Sequence, residues 1–555
     1  LPLIIGLHEG IVISMAHGYH QATGKPAFVN VHAIVGTAQM SGQLYNAHRD
    51  RAGIVVTAGL VDPALRCDDV DLAPRPGSDQ VDVIKPFTKL SWEVRDAASI
   101  PPALRRAFKF AATPPTGPVY VAFADYALSK PGVTAEVFDY PPVPSRPSVR
   151  PDTTQVEQAA RWLIEGAQPL LVVGPQLQAA GAVAQAVELA GLLGVPVTDW
   201  TGYFFRGSGF PTQYPLFYHK KTLMQALRSP GSTPLAQCDV VLGLGLDSAL
   251  PDDAGPASTP WPPKNAKHVT IGLDANERDR VRPIDLTVIA DVNDALADLL
   301  DAVRSLATPD RFARIRAARY DALTAEVAGY RRQAEAQVQR CCGRHPMHPD
   351  EVAMLVEQRL DPEAITVHEN FSHDASSVSG VLLRYGSGAK MRVANSGSSL
   401  GWGVGAAIGA KLGQPNRQVV LHIGDGATMF SAAGFWTMAR YEVPVLTLIW
   451  NNLNYQTVRQ NFAAYRGNMA QTGHYAGMYL GDPAIDFVQL ARSQGVEGER
   501  ATTPDDLRAA LERGIAVTQE GAPYLVEVLV SPTGPGAEST WHQAFSLARC
   551  RQRKV

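Results

Sequence analysis

The sequence predicts an α/β fold of three doubly wound parallel-sheet domains. Short apolar runs ending in glycine or polar turns recur along the chain, helical patterns alternate with them, and the alternation comes in three blocks. At 555 residues the chain is too long for one hydrophobic core, which agrees with several domains.

In the first block, PAFVNVH (Pro26–His32), AGIVVTAG (Ala52–Gly59) and GPVYVAFA (Gly117–Ala124) read as buried parallel strands. A doubly wound domain ordinarily has more chain ahead of its first long helix than LPLIIG, so a first strand and helix are expected to be missing from this sequence. The proline-rich stretch DYPPVPSRPSVRPDTT (Asp139–Thr154) reads as a linker. Strands of the second block are PLLVVG (Pro169–Gly174), CDVVLGLG (Cys238–Gly245) and KHVTIGLD (Lys267–Asp274). A charged helical segment, 309–340, leads into the third block, where AITVHEN, RQVVLHIGDG, VPVLTLIWNN and PYLVEVLV supply four more strands. The divisions fall at 1–138, 152–305 and 345–535, with a tail at 536–555.

Composition narrows the function classes. With 45% hydrophobic and 19% charged residues the chain is an ordinary globular protein, and a formal charge of −3 provides no basic field for nucleic acid. No apolar run has the length of a membrane span, and the opening LPLIIGLHEG lacks the basic start of a signal peptide. Five scattered cysteines include no C-x-x-C pair, which points to a reduced, cytoplasmic protein without a disulfide framework.

The most informative stretch is HIGDGATMF (His422–Phe430), where a buried strand runs into an aspartate between two glycines. After 24 further residues, reading as helix then strand, comes NNLNY (Asn451–Tyr455). Both turns then lie at carboxyl ends of parallel strands, where open α/β sheets bind ligands. Asp425 and Asn452 would face each other, each offering a hard oxygen to a dication such as Mg²⁺ whose remaining positions go to phosphate oxygens. Gly424 and Gly426 allow the backbone close to a diphosphate, and the next helix aims its N-terminus at that charge. GDG by itself is an ordinary turn; the paired asparagines make it specific.

GDG-x24-NN resembles the thiamin diphosphate motif of the pyruvate decarboxylase, acetolactate synthase and benzoylformate decarboxylase family. The resemblance extends over nearly the whole chain and is nearest to benzoylformate decarboxylases. It implies pyrimidine-binding, middle and diphosphate-binding domains. It implies that Asp425, Asn452 and the carbonyl of Asn454 ligate magnesium, with Gly424, Gly426, Ala427 and Tyr455 around the diphosphate. Glu9, in LHEGIVISMAHGYHQATGKPAF, matches the glutamate that meets N1′ of the aminopyrimidine; burial there helps keep the carboxyl protonated. Leu400, in NSGSSLGWGVGAAIGAKLG, matches the wedge that bends the cofactor, with carbonyls near Ser398 accepting from its 4′-amino group. GVGAAIG also looks like a dinucleotide fingerprint but lacks the following strand and acidic residue. In HENFSHDASS, Ser372 and His373 match diphosphate contacts, with Phe371 where a hydroxyl residue could stand.

The resemblance also bears on the reaction. His32 lies 23 residues beyond Glu9, as does a catalytic histidine of benzoylformate decarboxylases. Histidine suits proton delivery near neutral pH, which implies non-oxidative decarboxylation of a 2-oxo acid to an aldehyde, with carboligation as a side activity. Three departures argue against benzoylformate itself. The family's catalytic serine would precede Leu1. No histidine stands in LDSALPDDAGPAS (Leu246–Ser258). The loop after NN is long and offers Arg459, His474 and Tyr475 to the substrate. An acetolactate synthase-like or other C–C bond-forming or cleaving enzyme, an NAD- or FAD-binding oxidoreductase and an inactive structural homologue are the alternatives. Relatives place the Glu9 and Asp425 ends of the site on different subunits, implying a homodimer or homotetramer. The tail WHQAFSLARCRQRKV either closes over the site or is solvated surface.

Overall fold

The computed structural model describes residues 3–61, 70–75, 77–137, 149–199, 207–218, 237–246, 263, 265–274, 283–370 and 390–542. Three parallel sheets follow one another. The first contains β1 (Ala27–Val31), β2 (Ile54–Leu60), β3 (Leu90–Val94) and β4 (Val119–Ala124), in the order β1-β2-β4-β3. The second contains β5 (Pro169–Val173), β6 (Val197–Asp199), β7 (Phe217–Tyr218), β8 (Val240–Leu244), β9 (Lys267–Gly272) and β10 (Leu286–Ile289), in the order β10-β9-β8-β5-β6-β7. The third contains β11 (Ile365–Glu369), β12 (Met391–Ala394), β13 (Val419–Gly424), β14 (Val445–Asn451), β15 (Glu497–Ala501) and β16 (Tyr524–Leu529), in the order β12-β11-β13-β14-β16-β15.

All ten expected strands are present. Of the six others among the described residues, five (β3, β7, β10, β12 and β15) lie at sheet edges. Edge strands are half-solvated and need no continuous apolar run; EGERA in β15 is an example. Residues 139–148 of the expected linker lie outside the described residues, and its last two residues are helical. Asp152 accepts from the backbone N–H groups of Thr154 and Gln155 and so caps a helix that starts at Thr153.

The helices that matter for the site are α1 (Glu9–Thr23), α2 (Ala33–Gln39), α3 (Ser41–Arg49), α4 (Thr153–Glu165), α5 (Val183–Leu193), α6 (Pro309–Cys341), α7 (Gly403–Gly413), α8 (Asp425–Met429) and α9 (Gln456–Ala464). On α6, the expected charged helix, Arg319 is buried and donates to the carbonyls of Leu193 (3.0 Å), Leu163 (3.0 Å) and Ile164 (3.2 Å). One guanidinium thereby satisfies last-turn carbonyls of both α5 and α4.

The first and third domains meet along α1 and α7. A β-carbon at Gly18 would stand 2.1 Å from the carbonyl oxygen of Ala406, and one at Gly409 would stand 1.8 Å from that of Met15. The glycine spacing that looked like a dinucleotide fingerprint therefore serves backbone contact between two helices. Arg51 ties the first domain to the second through Asp274 at 2.6 Å.

Candidate active site

β13 and β14 are neighbours, with Gly424 opposite Trp450, so the GDG and NN turns emerge side by side. They stand beside the boundary of β11 and β13, where the strand order of the third sheet reverses. Asp425 opens α8 and is 6% exposed. Its Oδ1 accepts from the backbone N–H of Gly426 at 2.7 Å, while Oδ2 has no hydrogen-bond partner among the described residues. Burial pushes this carboxyl up to about 6, against backbone N–H groups of Gly426, Asn454, Leu453 and Asn452 that favour its charge. The two turns thus face each other as expected.

In the second turn, Asn451 Oδ1 accepts from Leu453 N at 3.0 Å and Asn452 Oδ1 accepts from Asn454 N at 2.9 Å. These local bonds support Leu453 at φ 56, a conformation few leucines adopt. The carbonyl of Asn454, which the resemblance makes a ligand, accepts from Gln456 N at 2.7 Å. It is the buried side-chain Oδ1 of Asn454 that has no partner among the described residues. Buried oxygens without donors on two facing turns are what a hard cation would satisfy, so this donor set fits Mg²⁺.

The two glycines separate in role. The space over Gly424 is open, with the nearest atom 3.9 Å from where a β-carbon would lie. At Gly426 a β-carbon would be 2.4 Å from the ring of Tyr455, so this glycine makes room for a side chain of the protein itself. Ala427 is buried beneath the turn.

The loop 394–402 carries Leu400, which is half-buried, and Ser398, which is exposed and held at φ 60 by the bond from its N–H to Asn395 Oδ1 at 2.9 Å. Glu369, at the end of β11, accepts from the backbone N–H groups of Gly401 (2.8 Å), Trp402 (3.1 Å) and Gly403 (2.6 Å) at the start of α7. Burial pushes its carboxyl up to about 7 while those three donors pull it down. From the first domain, Gln43 donates to the Leu400 carbonyl at 2.8 Å. Asn46 donates to the Ser399 carbonyl at 2.8 Å and accepts from Ser399 N at 3.0 Å. Among the described residues no donor reaches the carbonyl of Ser398. The sequence reading did not single out Glu369, Gln43 or Asn46. Gln43, Asn46 and Asp50, spaced three and four apart along α3 and its cap, were the available signal.

Glu9 is the first residue of α1 and is half-buried, less enclosed than the expected apolar setting. Its Oε1 lies 3.2 Å from where a β-carbon on Gly36 would be, and the Val31 β-carbon is equally close to that point. The carboxyl therefore lies over the first turn of α2, which His32 caps at the end of β1. His32 is exposed, its carbonyl accepts from Gly36 N at 2.8 Å, and the next residue, Ala33, has φ 43. Gly10 packs on the Gln43 side chain that holds Leu400. Gly401 in turn packs on Phe430, just past α8. A run of contacts thus joins the Glu9 and Asp425 ends of the site.

Arg459 is not free to meet a substrate. It is buried and donates to the carbonyls of Gly536 (2.7 Å) and Thr533 (2.6 Å). Tyr475 is buried against Gly536, and His474 stacks on Trp541 with centroids 5.2 Å apart. The tail as far as 542 lies across the loop that follows the NN turn, with Ser539 donating to the Gly473 carbonyl at 2.7 Å. Phe371, Ser372, His373 and the basic end of the tail lie outside the described residues, as do residues 247–258. The described residues contain no helix long and apolar enough to cross a membrane.

A chain of three doubly wound domains, with a glutamate of the first and a metal-fit turn pair of the third joined by one loop, has the architecture of a thiamin diphosphate enzyme. Comparison with known proteins agrees. Residues 1–68, 156–299 and 376–528 match the N-terminal TPP-binding, central and C-terminal TPP-binding domains of thiamine pyrophosphate enzymes. Benzoylformate decarboxylase of Pseudomonas aeruginosa is 31% identical over 95% of this chain and 91% of its own length. Acetolactate synthase of Bacillus subtilis is 26% identical over 95% of this chain and 86% of its own. Among solved structures, the thiamine diphosphate-dependent 4-hydroxybenzoylformate decarboxylase of Rhodococcus jostii RHA1 superposes with a TM-score of 0.72 at 27% identity, covering 95% of this chain and 92% of that one. The chain belongs to the thiamine pyrophosphate enzyme family.

Proposed function

We propose that this enzyme decarboxylates a 2-oxo acid without oxidation, releasing an aldehyde, with thiamin diphosphate held through Mg²⁺. The observation that carries the reading is the position of the Glu9 carboxyl over the turn capped by His32. Two groups able to transfer protons then lie at one turn. The 31% identity to a benzoylformate decarboxylase supports the same reaction type.

The cofactor, when bound, supplies a nucleophilic carbon and an acceptor for the electrons left when CO₂ departs. Asp425, Asn452 and Asn454 would hold the magnesium, Gly424 and Ala427 would meet the diphosphate, and Gly426 makes space for Tyr455. Ser372 and His373 would be further diphosphate contacts. Leu400 would be the wedge that bends the cofactor, the Ser398 carbonyl would accept from its 4′-amino group, and Glu9 would hold a proton for its aminopyrimidine. His32 delivers a proton to the product carbon and takes it from water afterwards. The chain works as a homodimer or homotetramer in the cytoplasm.

Identity to acetolactate synthases supports a second reading, in which the product carbon attacks another carbonyl. Product analysis on aliphatic and aromatic 2-oxo acids tests both: aldehyde supports the first, hydroxyketone the second. No turnover would overturn both and favour an inactive structural homologue, and turnover unchanged in Glu9→Gln would overturn the role given to Glu9.

A further inference from the structure

His17 is fully buried at the interface of the first and third domains. Its Nδ1 accepts from the Trp402 indole N–H at 2.9 Å. An indole nitrogen can only donate, so the neutral imidazole carries its proton on Nε2. That nitrogen is 3.1 Å from Asp50 Oδ2. The Gln21 amide nitrogen donates to the same carboxylate oxygen at 3.3 Å and to the Ala394 carbonyl at 2.9 Å; it lies beside the protonated ring nitrogen without bonding to it. Asp50 accepts from the backbone N–H of Ser396, 3.1 Å from each oxygen. The cluster therefore grips both ends of the loop 394–402: Ala394 and Ser396 through Gln21 and Asp50, Trp402 through His17. Leu400 and Ser398 lie between these anchors.

Burying an imidazole, a carboxylate, an amide and an indole N–H is costly unless each is paired, and here the pairing reaches across a domain boundary. Packing alone does not need such a set, since the neighbouring contacts of α7 with α1 are made by its glycines against backbone and apolar or hydroxyl side chains. The Trp402 ring also meets the His17 ring edge-on at 5.4 Å between centroids, which fixes its orientation. Trp402 is wholly buried and directly follows Gly401, whose φ of 87 sets the direction in which Leu400 leaves the helix start. Turning the indole would turn the loop.

We propose that His17 is a positioning residue: through Trp402 and Asp50 it fixes the pose of the loop bearing Leu400 and Ser398, and so the affinity for thiamin diphosphate. The assignment rests on the cofactor reading above. It concerns residues that touch neither cofactor nor substrate.

The test uses the full-length protein, with thiamin diphosphate titrated calorimetrically into metal-loaded apoprotein. Trp402→Phe keeps an aromatic ring but removes the N–H together with part of the buried indole; His17→Asn keeps an acceptor where Nδ1 stands; His17→Ala removes both bonds. The expected result is a rise of about tenfold in the cofactor dissociation constant for Trp402→Phe and His17→Ala, the scale on which residues behind a ligand's direct contacts act. His17→Asn recovers most of that loss. The double variant His17→Ala/Trp402→Phe is no worse than His17→Ala alone, because that variant already removes the bond to Trp402. The KM for the 2-oxo acid stays at its wild-type value. Unchanged cofactor affinity in Trp402→Phe, with wild type binding normally, or strictly additive losses, would overturn the proposal and leave an ordinary domain contact. Failure of wild type to bind thiamin diphosphate would instead overturn the cofactor reading.

Discussion

Gly409 and Met15 touch backbone to backbone: a β-carbon on Gly409 would stand 1.8 Å from the Met15 carbonyl oxygen. Neither side has a flexible end that can yield, so Gly409→Ala must push α7 away from α1. Forced contacts of this kind cost about 1–3 kcal/mol, and the displacement also separates Glu9 from the Leu400 loop. Urea unfolding should show the stability loss, and cofactor titration a weakened affinity. Gly191→Ala is the control. Its β-carbon would meet nothing within 4 Å, so the better helix former should stabilise α5 by about 0.5–1 kcal/mol.

How much of this was legible beforehand follows burial. Strands flanked on both sides by others must be apolar throughout, so VVLHIG and VLTLIWN announced themselves, and with them the GDG and NN turns at their ends. LSWEV and EGERA lie at edges, where half the surface is wet, and their composition is that of loops. At the site, Asp425 was legible because two turns at a fixed spacing constrain each other. Glu369 was not. Its partners are three backbone N–H groups more than 30 residues further on, and no side-chain motif records a bond to backbone. Arg459 misled for a similar reason: its place in the loop after NN offered it to the substrate, but its guanidinium is taken up by two carbonyls of the tail.

The position of Glu9 depends on the absence of a side chain at Gly36. A β-carbon there would stand 3.2 Å from Oε1 and from the Val31 β-carbon, tight enough that the carboxyl gives way. Gly36→Ala should lower kcat by about tenfold, because shifts of a few tenths of an ångström reduce but do not abolish positioning. Glu9→Gln removes the proton-carrying group and should cost about 10²–10⁴. Folding stability of both variants, read by thermal denaturation, should remain near wild type.

Asp425 presents an oxygen with no partner in a buried setting. With thiamin diphosphate and Mg²⁺ each at about a hundred times their dissociation constants, stability should rise by about 2.7 kcal/mol or more. Chelation with EDTA should remove that gain. Asp425→Asn should abolish the Mg²⁺-dependent part while leaving the apoprotein folded, because it removes a buried charge that burial itself disfavours. Equal ligand-induced shifts in wild type and Asp425→Asn would rule out Asp425 as a metal ligand.

Arg459 holds the tail on the loop after the NN turn through the Thr533 and Gly536 carbonyls. Arg459→Ala takes one donor from each of these half-buried carbonyls, which keep Gln460 Nε2 (3.0 Å) and the Ser539 N–H (3.0 Å) as partners, so the stability loss should be about 1 kcal/mol. The lost grip should loosen the tail. Limited proteolysis should then cut near 533–542 much faster than in wild type, with Lys at 459 giving partial protection as a single-point donor.

Glu369 sets burial against hydrogen bonding, and pH decides between them. Its carboxyl is pushed up from 4.5 to about 7 by burial, while the N–H groups of Gly403, Trp402 and Gly401 favour the charged form. With the folded value above the unfolded one, the folded chain binds the extra proton between those limits. The free energy of unfolding contributed by this group therefore falls as pH rises from about 4.5 to about 7, and is level above that. Glu369→Gln has no proton to exchange. Its amide also turns an N–H₂ group toward one of the three donors, so it should be less stable than wild type throughout. Because only wild type gains from protonation, the gap between the two should be widest near pH 5 and narrow toward pH 7.5, in urea unfolding at constant ionic strength. A gap that instead widens with pH would mean that three N–H donors at the start of α7 outweigh burial and keep Glu369 charged. The loop bearing Leu400 would then be held by an ionised anchor.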